Sequence, residues 1–336
     1  MYEEFYRLKE NPFRLTPDPE SVCMTPQHQE ALSGLIFSAQ TRPGLTVLVG
    51  EAGTGKTTLL YTVAALLGRR RMHTALVTNP MLTRDEFYDL LMLKFGIDCT
   101  SPLKSRQLTA LEETLRRNLM EGRPSVLIVD EAQRLPMDLF EEIRLLLNVE
   151  TPREKLLHII MAGQQEVMEI LGRPELRQLK QRVSCFCTLK QLSRPELNEY
   201  ICHRLARAGM ETQTIFSELV MGLIFDYSKG IPRVINTLCD SCLQIGFALQ
   251  SPTVTPAMVH EIAKEFSLAA PVKTDDAQLS VASASPAAKR NGDARRAAVD
   301  AQATVPEPAG ERMPMENYAN RQKSLSFFAQ FMDRWK

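Results

Sequence analysis

The sequence predicts an α/β fold: a parallel sheet sandwiched by helices, followed by a small all-α module. Three observations predict it. Five short apolar runs alternate with helical patterns between residues 45 and 189. A strand–glycine turn–helix passage opens that series. Beyond residue 190 the helical patterns continue while the strand patterns stop. Short apolar runs separated by helices imply parallel strands joined by right-handed crossovers.

The runs are Leu45–Val49, Thr74–Thr78, Ser125–Asp130, Leu157–Ala162 and Val183–Leu189. A sheet covered on both faces explains why Val126-Leu127-Ile128-Val129 is apolar throughout rather than alternating. After the fifth run, Ser193-Arg194-Pro195-Glu196 reads as a capping box with proline in the first turn of a helix. Leu197, Ile201 and Leu205 share one face of that helix. Further helices are expected at about 213–228, 232–249 and 256–266.

Residues 50–57 read Gly50-Glu51-Ala52-Gly53-Thr54-Gly55-Lys56-Thr57, the G-x-x-x-x-G-K-T pattern of a phosphate-binding loop. The apolar run Leu45–Val49 precedes it, and Thr58-Leu59-Leu60-Tyr61 continues it as a helix. The glycines free the backbone to curl, so that successive N–H groups point at phosphate oxygens. The helix start adds its positive dipole end. Residues 50–58 are therefore expected to hold a nucleoside triphosphate, ATP, with Lys56 at the β and γ phosphates and Thr57 on Mg²⁺.

The run ending Val129-Asp130-Glu131 supplies two carboxylates. A nucleotide hydrolase needs one acid to organise Mg²⁺ and another to orient the attacking water. Asp130 is assigned the first task, with Thr57, and Glu131 the second. Gln164, just after the fourth run, is the candidate polar contact to the γ-phosphate. Arg182 directly precedes the fifth run and is the candidate for an arginine delivered to a neighbouring subunit's γ-phosphate, with Arg177 as its rival. Gly230-Ile231-Pro232-Arg233 opens a lid helix, which sets Arg233 at the helix start, where a lid can fold it onto nucleotide.

Composition excludes some classes. Lys+Arg 40 balances Asp+Glu 40, so no global field draws the chain to nucleic acid or membrane. No apolar stretch reaches membrane-spanning length, and the acidic start Met1-Tyr2-Glu3-Glu4-Phe5 is unlike a signal peptide. A cytoplasmic protein is expected, at most peripheral at the inner membrane. Cys239-Asp240-Ser241-Cys242 has the spacing of a zinc or redox pair, but no second pair accompanies it and it falls in a helical pattern, as buried core cysteines do.

The ends are read separately. Residues 1–30 hold Pro12, Pro17, Pro19 and Pro26, which make a stiff, extended strip; Phe5, Phe13 and Leu15 are expected to pin it to the surface of the ATPase core. Thr25-Pro26 is expected to cap the helix that follows. The nucleotide-binding domain then runs over 31–190 and the helical lid over 191–266. Residues 267–320, rich in Ala, Pro and Ser and without Ile, Phe or Trp, read as a disordered linker. Residues 321–336 read as an amphipathic docking helix, with Leu325, Phe327, Phe328, Phe331, Met332 and Trp335 on one face spanning about 160°.

Together these residues resemble the ExeA/GspA-type AAA+ ATPases, a bacterial branch related to origin-recognition ATPases. The resemblance is carried by Phe5-Tyr6-Arg7-Leu8-Lys9-Glu10-Asn11-Pro12-Phe13, Thr16-Pro17-Asp18-Pro19 and His28-Gln29-Glu30-Ala31-Leu32. It is carried further by Asp130-Glu131-Ala132-Gln133, Leu147-Asn148, Gly163-Gln164, Gln181-Arg182-Val183 and Gly230-Ile231-Pro232-Arg233-Val234-Ile235-Asn236. It covers roughly residues 1–266. It implies an ATP hydrolase with a helical lid that works as a homo-oligomer and assembles or regulates an envelope machine: type II secretion, a pilus or exopolysaccharide export. It also brings the N-terminal strip near the adenine, so that Val22 to Thr25 line the base pocket or simply pack. The long secretion members carry a membrane helix and a peptidoglycan-binding module; neither is legible here, so direct cell-wall contact is not expected. An envelope or inner-membrane assembly protein, bound through the C-terminal helix, is the expected partner. A nucleic-acid-associated regulator of the transposition type is the alternative, supported by Arg69-Arg70-Arg71 and Arg116-Arg117 but not favoured, since net charge is zero and no helix-turn-helix is evident.

Overall fold

The computed structural model describes residues 2–16, 23–41, 44–99, 101–210 and 215–268. The expected linker beyond 268 and the expected docking helix at 321–336 lie outside the described residues, as do Val22, Pro17 and Pro19.

Five parallel strands form one sheet in the order β2-β3-β4-β1-β5: β1 Leu45–Gly50, β2 His73–Val77, β3 Ser125–Val129, β4 Leu157–Gly163 and β5 Val183–Leu189. Each strand lies where an apolar run predicts it. Successive residues send side chains to opposite faces. Leu45, Val47, Val49, Leu127, Val129, Ile159 and Met161 meet α4 (Arg84–Lys94), α5 (Lys104–Met120), α6 (Met137–Leu146) and α7 (Glu166–Leu171). Leu48, Val126, Ile128, Ile160 and Ala162 meet α2 (Pro26–Thr41) and α3 (Lys56–Arg69) on the other face. Burial on both faces is why β1, β3 and β4 lack polar alternation. A short helix, α8 (Arg177–Lys180), leads into β5.

The chain then builds a second apolar core from α9 (Arg194–Arg207), α10 (Glu218–Ser228), α11 (Pro232–Ala248) and α12 (Pro256–Glu265). The capping box read at Ser193 is present: the Ser193 N–H donates to Glu196 Oε2 at 2.8 Å. Cys239 and Cys242 are fully buried in this core among Leu238, Leu243 and Ile235.

The N-terminal segment departs from expectation. Phe5 and Phe13 do not pin it to the α/β core, against which only Met24 of its described apolar residues packs. Tyr2, Tyr6, Leu8 and Phe13 belong to the helical core, with α1 (Tyr2–Phe5) seated against α11. Tyr2 Oη donates to Asp240 Oδ1 at 2.5 Å, Asn11 Nδ2 donates to the same oxygen at 3.0 Å, and Tyr6 Oη donates to the Ser251 carbonyl at 3.0 Å. Leu15 pins nothing; it is 57% exposed. The lid helices leave an apolar face uncovered that the aromatic strip fills, and the sheet, already covered twice, offers none. The boundary drawn after residue 30 falls inside α2. The Thr25 carbonyl accepts from the Gln29 N–H at 3.0 Å, but its hydroxyl is engaged by His28 Nδ1 at 2.7 Å rather than capping the helix.

Candidate functional site

The phosphate loop lies between β1 and α3 at the carboxyl end of the sheet. Gly53 and Gly55 have φ of +81° and +96°, the left-handed region that favours glycine. Gly50 is required by space instead: a Cβ there would stand 2.7 Å from the Leu189 carbonyl oxygen and 2.9 Å from Thr54 Oγ1. Lys56 is buried and donates to the Gly50 and Glu51 carbonyls at 2.8 and 2.9 Å. Burial lowers its pKa, while Glu131 and Asp130 act against the shift. The ammonium is thus held at the loop by weak carbonyl partners, ready for a stronger anion.

Thr57 Oγ1 donates to Asp130 Oδ2 at 2.6 Å. Asp130 is 2% exposed; burial raises its pKa, opposed by the hydrogen bonds from Thr57 and from the Glu131 N–H. Glu131 follows with φ 54° and ψ 37°, a left-handed conformation rare for a residue with a side chain. Its carboxylate accepts from Gln133 Nε2 at 2.7 Å and has Arg134 Nε at 3.9 Å.

A cavity of about 510 Å³ opens over the loop. Of the residues singled out from the sequence, Ala52, Gly53, Thr54, Gly55, Lys56, Thr57, Thr58, Glu131, Gln164 and Arg233 line it. Gly50 and Glu51, at the start of the loop, contribute the carbonyls that hold Lys56. Asp130 sits behind Thr57. The lid reaches the loop directly: the Arg233 N–H donates to the Gly53 carbonyl at 3.2 Å, and a Cβ on Gly53 would meet Arg233 Cβ at 2.8 Å.

Arg182 does not join this cavity. It precedes Val183, which pairs with Leu45 at the amino end of β1, whereas the phosphate loop follows the carboxyl end. Its guanidinium donates to Asn148 Oδ1 at 3.0 Å on the protein surface. An intrasubunit contact with nucleotide is thereby excluded.

Several lining residues were given no role from the sequence. Arg14, Cys23, His28, Arg134, Tyr200, Arg204 and Asn236 all face the cavity. Cys23 falls in the segment that the resemblance brings to the base. His28 Nε2 would lie 3.5 Å from a Cβ on Gly55, and a hydrogen bond to the Thr54 backbone ties it to the loop. Tyr200 Oη donates to Asn236 Oδ1 at 2.9 Å and accepts from Arg204 Nε at 3.1 Å. Arg14, Lys56, Arg134, Arg204 and Arg233 set five cationic side chains against the single carboxylate Glu131. A chain of zero net charge concentrates positive charge where a polyphosphate would sit. For His28 the signal was its place in the His28-Gln29-Glu30-Ala31-Leu32 passage, whereas Arg204 is one of several charged residues in its helix and nothing marked it. For Arg14 there was none.

A family model of an AAA domain matches residues 39–171. The chain is 35% identical over 268 residues to general secretion pathway protein A of Aeromonas hydrophila, covering 80% of this chain and 49% of that protein. It therefore spans about half the length of the curated relative it matches. Among solved structures it is similar to the Aeropyrum pernix ORC2 protein, described as ADPNP–ADP complexes, with TM-score 0.59, 16% identity, and 76% and 72% of the two chains covered. It is likewise similar to Cdc6p from Pyrobaculum aerophilum, with TM-score 0.59, 18% identity, and 78% and 70% covered. These two share the fold. Among the described residues no helix is long and apolar enough to cross a membrane. With its strand–loop–helix phosphate site, its helical lid and its match to an AAA domain, this chain has the fold of the AAA+ P-loop NTPases, and over four-fifths of its own length it is similar to general secretion pathway protein A.

Proposed function

We propose that this chain hydrolyses ATP and couples the cycle to assembly or regulation of a bacterial envelope machine. The observation that carries the hydrolytic part is the Thr57–Asp130 hydrogen bond of 2.6 Å beside a buried Lys56, with Glu131 lining the cavity. Lys56 and the N–H groups of the loop would bind the β and γ phosphates. Gln164 would contact the γ-phosphate, and Arg233 would close on the nucleotide from the lid. Glu131 would orient the attacking water, since its carboxylate is not committed to Asp130 or Thr57. The Thr57 hydroxyl and the Asp130 carboxylate are hard oxygen donors and fit Mg²⁺, which when bound neutralises phosphate charge.

The test is a pair of variants. Lys56→Ala is expected to abolish tight ATP binding. Glu131→Gln is expected to bind ATP and slow turnover roughly 10²–10⁴-fold. Wild-type turnover by Glu131→Gln would overturn the assignment.

The envelope role rests on the likeness to general secretion pathway protein A. We place the partner contact in residues 321–336, whose apolar face and excess of Arg and Lys suit a groove on an inner-membrane assembly protein. Deleting 321–336 is expected to leave ATP turnover intact and to lower co-purification with secretion-machine components. Unchanged recovery of partner and of membrane fraction would remove the docking role.

A further inference from the structure

We infer that Gln133 is a positioning residue for Glu131, fixing the catalytic carboxylate and tying its placement to Gln164 at the end of β4. The inference rests on the reading of Glu131 given above. The Gln133 side chain joins two elements of the site. Its amide nitrogen donates to Glu131 Oε2 at 2.7 Å, and its amide oxygen accepts from the Gln164 backbone N–H at 3.1 Å. The partners fix the orientation of the amide. A backbone N–H can only donate, so the oxygen must face Gln164, and the nitrogen is left for the carboxylate.

The surroundings are built for this bridge. Gly163 leaves the space: a Cβ there would lie 2.6 Å from Gln133 Oε1. The three-residue turn Ala132–Arg134 brings Gln133 back over Glu131, whose φ of 54° departs from ordinary strand or helix geometry. The other side chain beside Glu131, the cation Arg134, stands at 3.9 Å and is 59% exposed, so it is a loose partner. Gln133 therefore sets where the carboxylate points. Because the same amide holds the backbone of Gln164, a γ-phosphate contact at Gln164 and the orientation of Glu131 are mechanically linked through one side chain.

A residue that orients a catalytic group without touching substrate should affect turnover more than binding, because misplacing the group costs only in the transition state. Two variants of the full chain separate the links. Gln133→Glu keeps an acceptor for the Gln164 N–H but removes the donor to Glu131 and sets a like charge against it. Gln133→Met keeps the length and removes both bonds. Both are expected to lower kcat roughly 10²-fold, the cost typical of a misplaced reacting group. ATP affinity by titration calorimetry is expected to stay within about threefold, roughly 0.6 kcal/mol. The double variant Glu131→Gln/Gln133→Met, measured in single turnover, is expected to be no slower than Glu131→Gln alone, because Gln133 acts through Glu131. Unchanged kcat in Gln133→Glu, a loss of affinity as large as the loss of kcat, or multiplying effects in the double variant would each overturn the inference. An active Glu131→Gln would remove the reading beneath it. An inert Glu131→Gln beside a fully active Gln133→Met would remove only the role of Gln133.

Discussion

His158 shows how burial alone can reset a side chain. It lies near the start of β4 with no exposed surface, has Thr46 Oγ1 at 3.4 Å from Nε2, and leaves Nδ1 without a partner. Burial pulls its pKa down from 6.5 to about 3. In that window the unfolded chain binds a proton that the folded chain refuses. The contribution is therefore complete above about 6.5 and is lost as pH falls toward about 3. Replacing His158 with Leu is expected to flatten the acid side of the stability curve. The difference from the parent, followed by urea unfolding, should grow by up to about 1.4 kcal/mol per pH unit below 6.5. Identical slopes in the two proteins would refute this. Nothing in Leu157–Ala162 marks His158 as special, because a strand pattern reports burial but not what a polar side chain finds inside. Lys56, by contrast, was legible as a residue, since the spacing Gly50, Gly55, Lys56, Thr57 is set by the local path of the backbone around phosphate.

Between elements, the decisive contact is that of α11 with the phosphate loop. Gly53 serves twice: its φ of +81° suits glycine, and its missing side chain lets Arg233 and Ile231 approach. Gly53→Ala is expected to push the lid helix away, losing the Arg233 N–H bond and the placement of its guanidinium. ATP affinity should fall about tenfold, roughly 1.4 kcal/mol. Gly96→Ala is the control, since φ there is +63° with nothing within 4 Å of the added carbon. It should share a backbone cost of about 1–2 kcal/mol in stability and leave ATP affinity unchanged. Equal affinities in the two variants would show that the lid contact is dispensable. Pro232 at the helix start made α11 readable in the sequence, as Ser193 did for α9. The seat of α1 was not readable, because an aromatic strip without a period does not say which apolar face it will fill.

At the scale of the whole molecule, the separation of Arg182 from the nucleotide cavity has a direct consequence. Some six residues of strand, about 20 Å, lie between the start of β1, beside Arg182, and the phosphate loop. If Arg182 serves hydrolysis, it serves a neighbour's site. Turnover per subunit is then expected to rise with protein concentration. Mixing inactive Arg182→Ala with inactive Glu131→Gln should restore activity at interfaces that pair an intact arginine with an intact carboxylate. A constant specific activity across dilution of a demonstrated monomer would exclude the shared site.

Taken by itself, the sequence determined the five strands, the phosphate loop, the two carboxylates at the end of β3 and the helices of the lid. Each is a local matter of period, capping or turn chemistry within about ten residues, and the chain enforces it wherever it folds. The tertiary structure alone decided that Arg14, His28, Tyr200, Arg204 and Asn236 surround one cavity. It alone seated Tyr2 and Asn11 on Asp240, and it alone set the Gln133 amide between Glu131 and Gln164. These pairs lie up to 238 residues apart. Their meeting depends on which apolar faces remain uncovered after the sheet and lid have packed, and no local pattern encodes that.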